Sequence, residues 1–179
     1  MRARWAAELE ARGYRSHPSL WTATAAVDAP ELLAAVHREY LRAGAELITA
    51  NTFRTTAHAA HAAGQSAEGA QAWLSAAVEV ARAAGASGGA LCAGSLAPLA
   101  DCYRPEQTPP DEVLRAAHAR TAAWLAAAGC DLILVETQGS GREAVIAVAA
   151  AHAAGAPVWV SLLVDADGEH LLDGSPLRS

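Results

Sequence analysis

Four short apolar runs in this 179-residue sequence end in polar residues: Asn51-Thr52, Gly94-Ser95, Glu136-Thr137 and Ser161. An amide, several hydroxyls and one carboxylate can hold a small polar molecule if they converge on one place. Glu136 is the sharpest of them. It follows Leu132-Ile133-Leu134-Val135 without a break, so it should be partly buried, and a partly buried carboxylate is a natural anchor for a cation. The plainer alternative is an acid at the start of the next helix.

Other groupings could also do chemistry. Gly139-Ser140-Gly141-Arg142-Glu143-Ala144 fits the G-x-G-x-x-A dinucleotide fingerprint, follows a strand and opens a helix, with Asp165 at the end of the next strand. Against it, Glu136-Thr137-Gln138 intervenes where the fingerprint wants a tight turn. His58 and His61 can share a helix face as metal ligands or as a solvated pair. Asp165-Ala166-Asp167-Gly168 begins like a calcium loop, but Pro176 stands where the bidentate acid is needed, which favours a turn. Cys92, Cys102 and Cys130 are odd in number and lack metal-site spacing. They read as structural thiols in a reducing compartment.

The elements that must position these groups show as a repeat. Ala43-Gly44-Ala45-Glu46-Leu47-Ile48-Thr49-Ala50-Asn51-Thr52 matches Ala128-Gly129-Cys130-Asp131-Leu132-Ile133-Leu134-Val135-Glu136-Thr137. The offset is roughly 85 residues, about two βα units. Weaker copies start at Gly88 and Gly155. Each copy follows a helix. Asp28 with Glu31 forms a capping box for a helix carrying Leu32, Leu33, Val36 and Tyr40 and stopping at Gly44. Ser66 caps a second helix with Trp73, Leu74, Ala77, Val78 and Ala81, ending near Gly85. Thr108-Pro109-Pro110-Asp111 starts a third, striped by Val113, Leu114, Ala117, Trp124 and Leu125, and a fourth runs from about Ser140 to Ala154. The strands are continuous apolar runs, as in a parallel sheet covered on both faces. Helices outside and such strands inside give an α/β barrel or a doubly wound sheet, whose ligands sit at the carboxyl ends of the strands.

Bulk composition narrows the function. The net charge is −6, every basic residue is Arg, and no basic run suggests a nucleic acid or an anionic membrane as partner. Residues 1–13 read as a charged helix without the apolar centre of a signal peptide. Residues 144–164 lack Asp, Glu, Lys and Arg, yet His152 and Gly155-Ala156-Pro157 divide them into helix, turn and strand rather than a membrane span. The expected location is the cytoplasm.

Several stretches together resemble the homocysteine S-methyltransferase family, a (β/α)₈ barrel. They are residues 8–13 (ELEARG), Leu20-Trp21, residues 31–56 (ELLAAVHREYLRAGAELITANTFRTT), residues 93–103 (AGSLAPLADCY), residues 131–137 (DLILVET), residues 157–161 and Asp173-Gly174. Within that family the chain looks most like the single-domain bacterial enzymes. The resemblance implies a partial (β/α)₈ TIM-type barrel, strands 2 to 5 with their helices, over residues 1–179 as one incomplete domain. It implies transfer of a methyl group from a donor such as S-methylmethionine, with betaine or a folate as other donors, to the thiol of homocysteine, giving methionine. It further implies that Glu136 binds the ammonium group of homocysteine, with Asn51, Thr52 and Ser95 on the same rim. In the family three cysteine thiolates hold a zinc ion that activates the homocysteine thiol.

The pattern departs from the family at both ends. The Asp-Gly-Gly stretch expected before Glu8 is not found in residues 1–7, and the zinc cysteines would lie beyond Ser179. Cys92, Cys102 and Cys130 fall at none of the zinc positions. The zinc expected of the complete barrel therefore has no ligands in this chain, which should be inactive in isolation. An open half-barrel also leaves edges and an apolar face for a second copy or a complementary half to cover. Two other functions stay open at this point: a non-catalytic half-barrel that binds a small amino acid or a protein, and a dinucleotide-binding domain.

Overall fold

The apolar runs form the strands of one sheet. The computed structural model describes residues 4–178, with side chains from residue 7 onward. Its strands are β1 (Leu47–Thr49), β2 (Leu91–Leu96), β3 (Leu132–Gln138) and β4 (Val158–Leu162). They lie in the order β1-β2-β3-β4, every pair parallel. Sequential parallel neighbours with helical crossovers are how a (β/α) barrel begins.

The helices are α1 (Arg4–Ala11), α2 (Ala25–Asp28), α3 (Pro30–Arg42), α4 (Ala57–Ala62), α5 (Ala67–Gly85), α6 (Asp111–Ala127) and α7 (Gly141–Ala153). Residues 1–3 of the expected amino-terminal helix lie outside the described residues. The divided reading of residues 144–164 matches α7, a turn and β4. Among the described residues no helix is long and apolar enough to cross a membrane.

The main core lies between one sheet face and α5, α6 and α7. Ile48, Cys92, Leu96, Ile133 and Val135 meet Leu74, Val78, Ala81, Ala122, Leu125, Ala147 and Ala151 there. Side chains alternate along a strand, so Ala93, Ser95, Leu134 and Glu136 face the opposite, concave side. Gly94 shows how closely the helix layer approaches. A Cβ on it would stand 2.6 Å from Cys130 Sγ and 2.7 Å from Leu125 Cδ2. A second cluster, with Leu9, Ala25, Leu33, Val36 and Ala77, ties α1, α2 and α3 to α5.

Three expectations need correction. Asp28 does not cap α3. Pro30 opens that helix, and the residue before it, Ala29, is turned out of the helical region at φ −148°, as proline imposes on its predecessor. Asp28 ends α2 instead and accepts a hydrogen bond from the Tyr14 hydroxyl at 3.2 Å. The apolar stripes are also shifted. Tyr40 and Val113 are exposed, while His37 on α3 and His118 on α6 are buried. Finally, β4 is not covered on both faces, since Trp159, Val160 and Leu162 are exposed along it. It is one edge of the sheet, with β1 at the other.

Ser66 caps its helix as read, accepting from Gly69 N–H at 3.1 Å, and Ser140, read only as the start of the last helix, caps it by accepting from Glu143 N–H at 3.5 Å. Helix α6 begins at Asp111, after the paired prolines, and is clasped by Arg142 of α7. That guanidinium donates to the carbonyls of Thr108 and Pro109 and to Asp111 Oδ1 at 2.7 Å.

Candidate functional site

Parallel strands bring their carboxyl ends to one rim, and the polar tips meet there. Thr52, just past β1, donates its hydroxyl to the Ser95 carbonyl at 2.9 Å and accepts from Ser95 N–H at 2.9 Å. Ser95 in turn donates its hydroxyl to Glu136 Oε2 at 2.5 Å. Three successive strands are thus linked tip to tip. The fourth joins through Ser161, whose hydroxyl accepts from Thr137 N–H at 3.0 Å.

Asn51 and Thr52 are buried and hydrogen-bonded within the chain. Asn51 donates its amide to the Thr22 carbonyl at 2.7 Å, which moors the segment carrying Trp21. Glu136 is half-buried on the concave face. Burial pushes its carboxyl above the ordinary carboxylate range, and the Ser95 hydrogen bond partly offsets that. A carboxylate of this kind gains from an ammonium group that arrives and replaces the water it has lost. The backbone beside it is unusual, since Thr137 has φ +60°, a left-handed conformation that costs energy in a residue with a Cβ. A register irregularity between Val135 and Gln138 accompanies it.

The sequence reading gave no role to Arg54. It follows the β1 tip, with its guanidinium carbon 4.5 Å from the centre of the Trp21 ring and 5.7 Å from that of Phe53. The two rings are themselves stacked at 5.8 Å. The available signal was a lone cation directly after a strand end, within a run of hydroxyl and aromatic residues. Glu143 was also missed, although it is only 2% exposed. It accepts from Leu99 N–H and pairs with His118 Nε2, both at 2.9 Å. That pair joins α6, α7 and the loop after β2 behind the rim.

The other groupings lead elsewhere. Gly141 N–H, where a pyrophosphate would bind, is already taken by the Asp173 carboxylate at 2.8 Å. A Cβ on Gly139 would stand 2.6 Å from the Cys102 carbonyl oxygen, and one on Gly141 would stand 2.8 Å from Ser175 Oγ. These glycines admit the chain's own loops, so the dinucleotide reading fails on occupancy. His58 and His61 are exposed on α4. Asp167 organises a turn by accepting from the backbone of Glu169 and His170.

The thiols do not fit a zinc site at this rim. Cys92 faces the helix layer, where its thiol meets that of Cys130, whose ionisation is pushed up by that contact and by burial. Cys102 is buried in the loop after β2, and burial raises its thiol too. Among the described residues no three of His, Cys, Asp and Glu stand close enough together to hold a metal ion.

The family model for homocysteine S-methyltransferase matches residues 5–179. The chain belongs to the homocysteine S-methyltransferase family. It is 36% identical to the homocysteine S-methyltransferase of Escherichia coli (strain K12), over 97% of this chain and 60% of that protein. It is 30% identical to homocysteine S-methyltransferase 4 of Zea mays, over 96% of this chain and 56% of that one. The crystal structure of the Escherichia coli homocysteine methyltransferase MmuM in its metallated form superposes with a TM-score of 0.85, covering 97% of this chain and 65% of that one. The chain thus spans about three fifths of the length of these relatives and is a partial barrel of this family's type. Family membership agrees with the parallel sheet and with the resemblance carried by the ANTFRT, AGSLAPL and DLILVET segments.

Proposed function

We propose that this chain carries the homocysteine-binding rim of an S-methyltransferase, in which Glu136 receives the ammonium group of homocysteine. The observation that supports this most directly is the Glu136 carboxylate, half-buried on the concave face and held by Ser95 at 2.5 Å. Ser95 fixes one carboxylate oxygen and leaves the other for substrate. Thr52 fixes Ser95, and Asn51 moors the neighbouring segment. Glu136 and Ser95 act by contact, whereas Thr52 and Asn51 act by position.

The reaction is transfer of a methyl group from a donor such as S-methylmethionine to the homocysteine thiol, giving methionine. The new carbon–sulfur bond forms as the donor's breaks, and the donor leaves with the bonding electron pair. This chain's residues bind and orient the amino acid, and none is assigned a catalytic role. Zinc, expected for the complete barrel, would supply thiol activation there. Cys92 and Cys130 face the helix layer and Cys102 is buried in the loop after β2, so binding is the part of the reaction that these residues support. The second reading, a non-catalytic amino-acid binder, draws on the same observation. The proposed partners are the two substrates, together with a second copy or a complementary half along β4. The free thiols support a cytoplasmic location.

Calorimetry with homocysteine tests the reading, using the unmodified chain and Glu136→Gln. A charged hydrogen bond lost from a half-buried site should weaken binding about 10- to 100-fold. Equal affinity for both proteins would remove Glu136 from the site. Adding zinc and a donor and assaying for methionine then separates the transferase from the binder.

A further inference from the structure

Arg54 is held as though for a ligand. Its guanidinium lies against Trp21 and beside Phe53, and its Nε is buried with no hydrogen-bond partner among the described residues. No described carboxylate comes within ion-pair distance. The groups that act on it electrostatically are the buried Cys102 thiol and then Asp101, whose carboxylate accepts from Tyr103 N–H at 3.0 Å. A buried donor without a partner costs stability and calls for an explanation.

The support beneath Arg54 is unusually well fixed. Trp21 has φ +53°, a conformation that persists in such a residue only when its surroundings enforce it. Two backbone hydrogen bonds with His17, at 2.7 and 2.8 Å, hold it there, and Asn51 ties the adjacent Thr22 to the β1 tip. An arginine stacked on an aromatic face keeps its in-plane N–H fork free, and that fork matches the two oxygens of a carboxylate. Of the non-glycine residues with left-handed backbone among the described residues, one supports Arg54 and the other, Thr137, follows Glu136. The strain therefore gathers at the rim.

We propose that Arg54, presented on Trp21 and Phe53, binds the α-carboxylate of an amino-acid substrate at this rim. The inference rests on the reading of Glu136 given above and adds the opposite charge. Thr52, two residues before Arg54, is linked through Ser95 to Glu136. Arg54 follows β1 and Glu136 lies near the end of β3, strands that sit two spacings, about 10 Å, apart in the sheet. A zwitterion suits that pair of charges. A phosphate does not, since Glu136 would repel it and a single guanidinium is its only cationic partner among the residues described at the rim. The carboxylate can belong to homocysteine or to an amino-acid methyl donor, and the experiment has an arm for each.

The test compares homocysteine with homocysteinamide, and S-methylmethionine with its amide, by calorimetry on the full chain and on Arg54→Gln and Arg54→Lys. The unmodified chain should prefer one acid over its amide by about 10-fold or more. The pair that shows the preference identifies the source. Arg54→Gln should reduce it to within about twofold, with Arg54→Lys between, because an ammonium keeps the charge and loses the fork. Circular dichroism checks folding, and if Arg54→Gln does not fold, the acid–amide comparison on the unmodified chain decides alone. Equal binding of acids and amides would overturn the inference and leave Glu136 in place, as would a preference that survives in Arg54→Gln. Failure of every amino acid and amide to bind would remove the Glu136 reading, and Arg54's role with it.

Discussion

At the residue scale, Glu136 couples substrate binding to pH. Its carboxyl titrates above the ordinary range because burial disfavours the anion, and an ammonium group needs the anion. Homocysteine affinity should therefore rise with pH through the mildly acidic range as Glu136 ionises, and binding should release protons, because the arriving cation draws the carboxyl back down. Titration at pH 5 and pH 7.5 measures this, and Glu136→Gln should flatten the difference. Ser95→Ala should shift the profile to higher pH, since the Ser95 hydrogen bond is what lowers Glu136; a profile that moves to lower pH would contradict this assignment. Glu136 was legible in the sequence because a strand tip is a fixed address: four apolar residues, then an acid. Arg54 and Glu143 were not. The partners that define them, Trp21, His118 and the Leu99 N–H, lie in segments remote in the chain, and single-sequence spacing reports only neighbours along one element. Glu143 is the clearer case, because its place in a glycine-rich fingerprint suggested a ligand loop while its carboxylate is committed to the core.

Helix and strand periods were legible at the scale of elements because apolar spacing and capping serines are local signals. Ser66 needed only the three residues after it. Asp28 misled because the proline two residues on overrides side-chain capping, and β4 misled because an apolar run does not say which of its faces finds a neighbour. Packing between elements carries two predictions. Gly94 lets α6 and Cys130 press against β2, with less than 3 Å to spare for a Cβ. Gly94→Ala should lose about 1–3 kcal/mol, read as a lowered midpoint in urea. A fall of less than about 0.5 kcal/mol would mean that the helix layer yields. His37 sits buried on α3 with its Nε2 unpartnered, and burial lowers its pKa to about 4. A histidine depressed on folding binds its proton more readily in the unfolded chain. Stability from the neutral ring is thus whole above about pH 6.5 and falls as the pH drops toward 4, by up to about 3 kcal/mol. His37→Phe should remove that slope between pH 6.5 and 4, and an unchanged slope would assign the acid sensitivity elsewhere.

Considered as a whole, the molecule is a sheet whose two ends differ. β1 is a three-residue strand at one edge, and α1, α2 and α3 pack together with α5 beside it. β4 is longer, and Trp159 is 56% exposed, with Val160, Leu162 and Val164 exposed along the same segment. A parallel strand with free N–H and C=O groups and apolar side chains on its outer edge is a template for another chain. In the family's barrel a fifth strand of the present numbering would occupy that edge, and this chain spans about three fifths of its relatives' length. The apolar run is therefore consistent with a closed barrel and costly in an open one. Two forces act on the free edge. Burying the exposed side chains favours association, with about 25 cal/mol for each Å² of apolar surface removed from water, while the loss of translational freedom opposes it. The net charge of −6 adds a weak repulsion between copies that salt screens. Association should accordingly grow with protein concentration and with ionic strength, which separates it from attraction between opposite charges. Sedimentation velocity across the micromolar range should show a concentration-dependent shift for the unmodified chain. The Trp159→Lys/Val160→Lys double variant, which sets charge on the edge as natural sheets do, should sediment as a monomer with an unchanged circular dichroism spectrum. If the unmodified chain stays monomeric at every concentration and salt, the edge is protected by something other than a neighbouring molecule, and the open-sheet account of β4 fails.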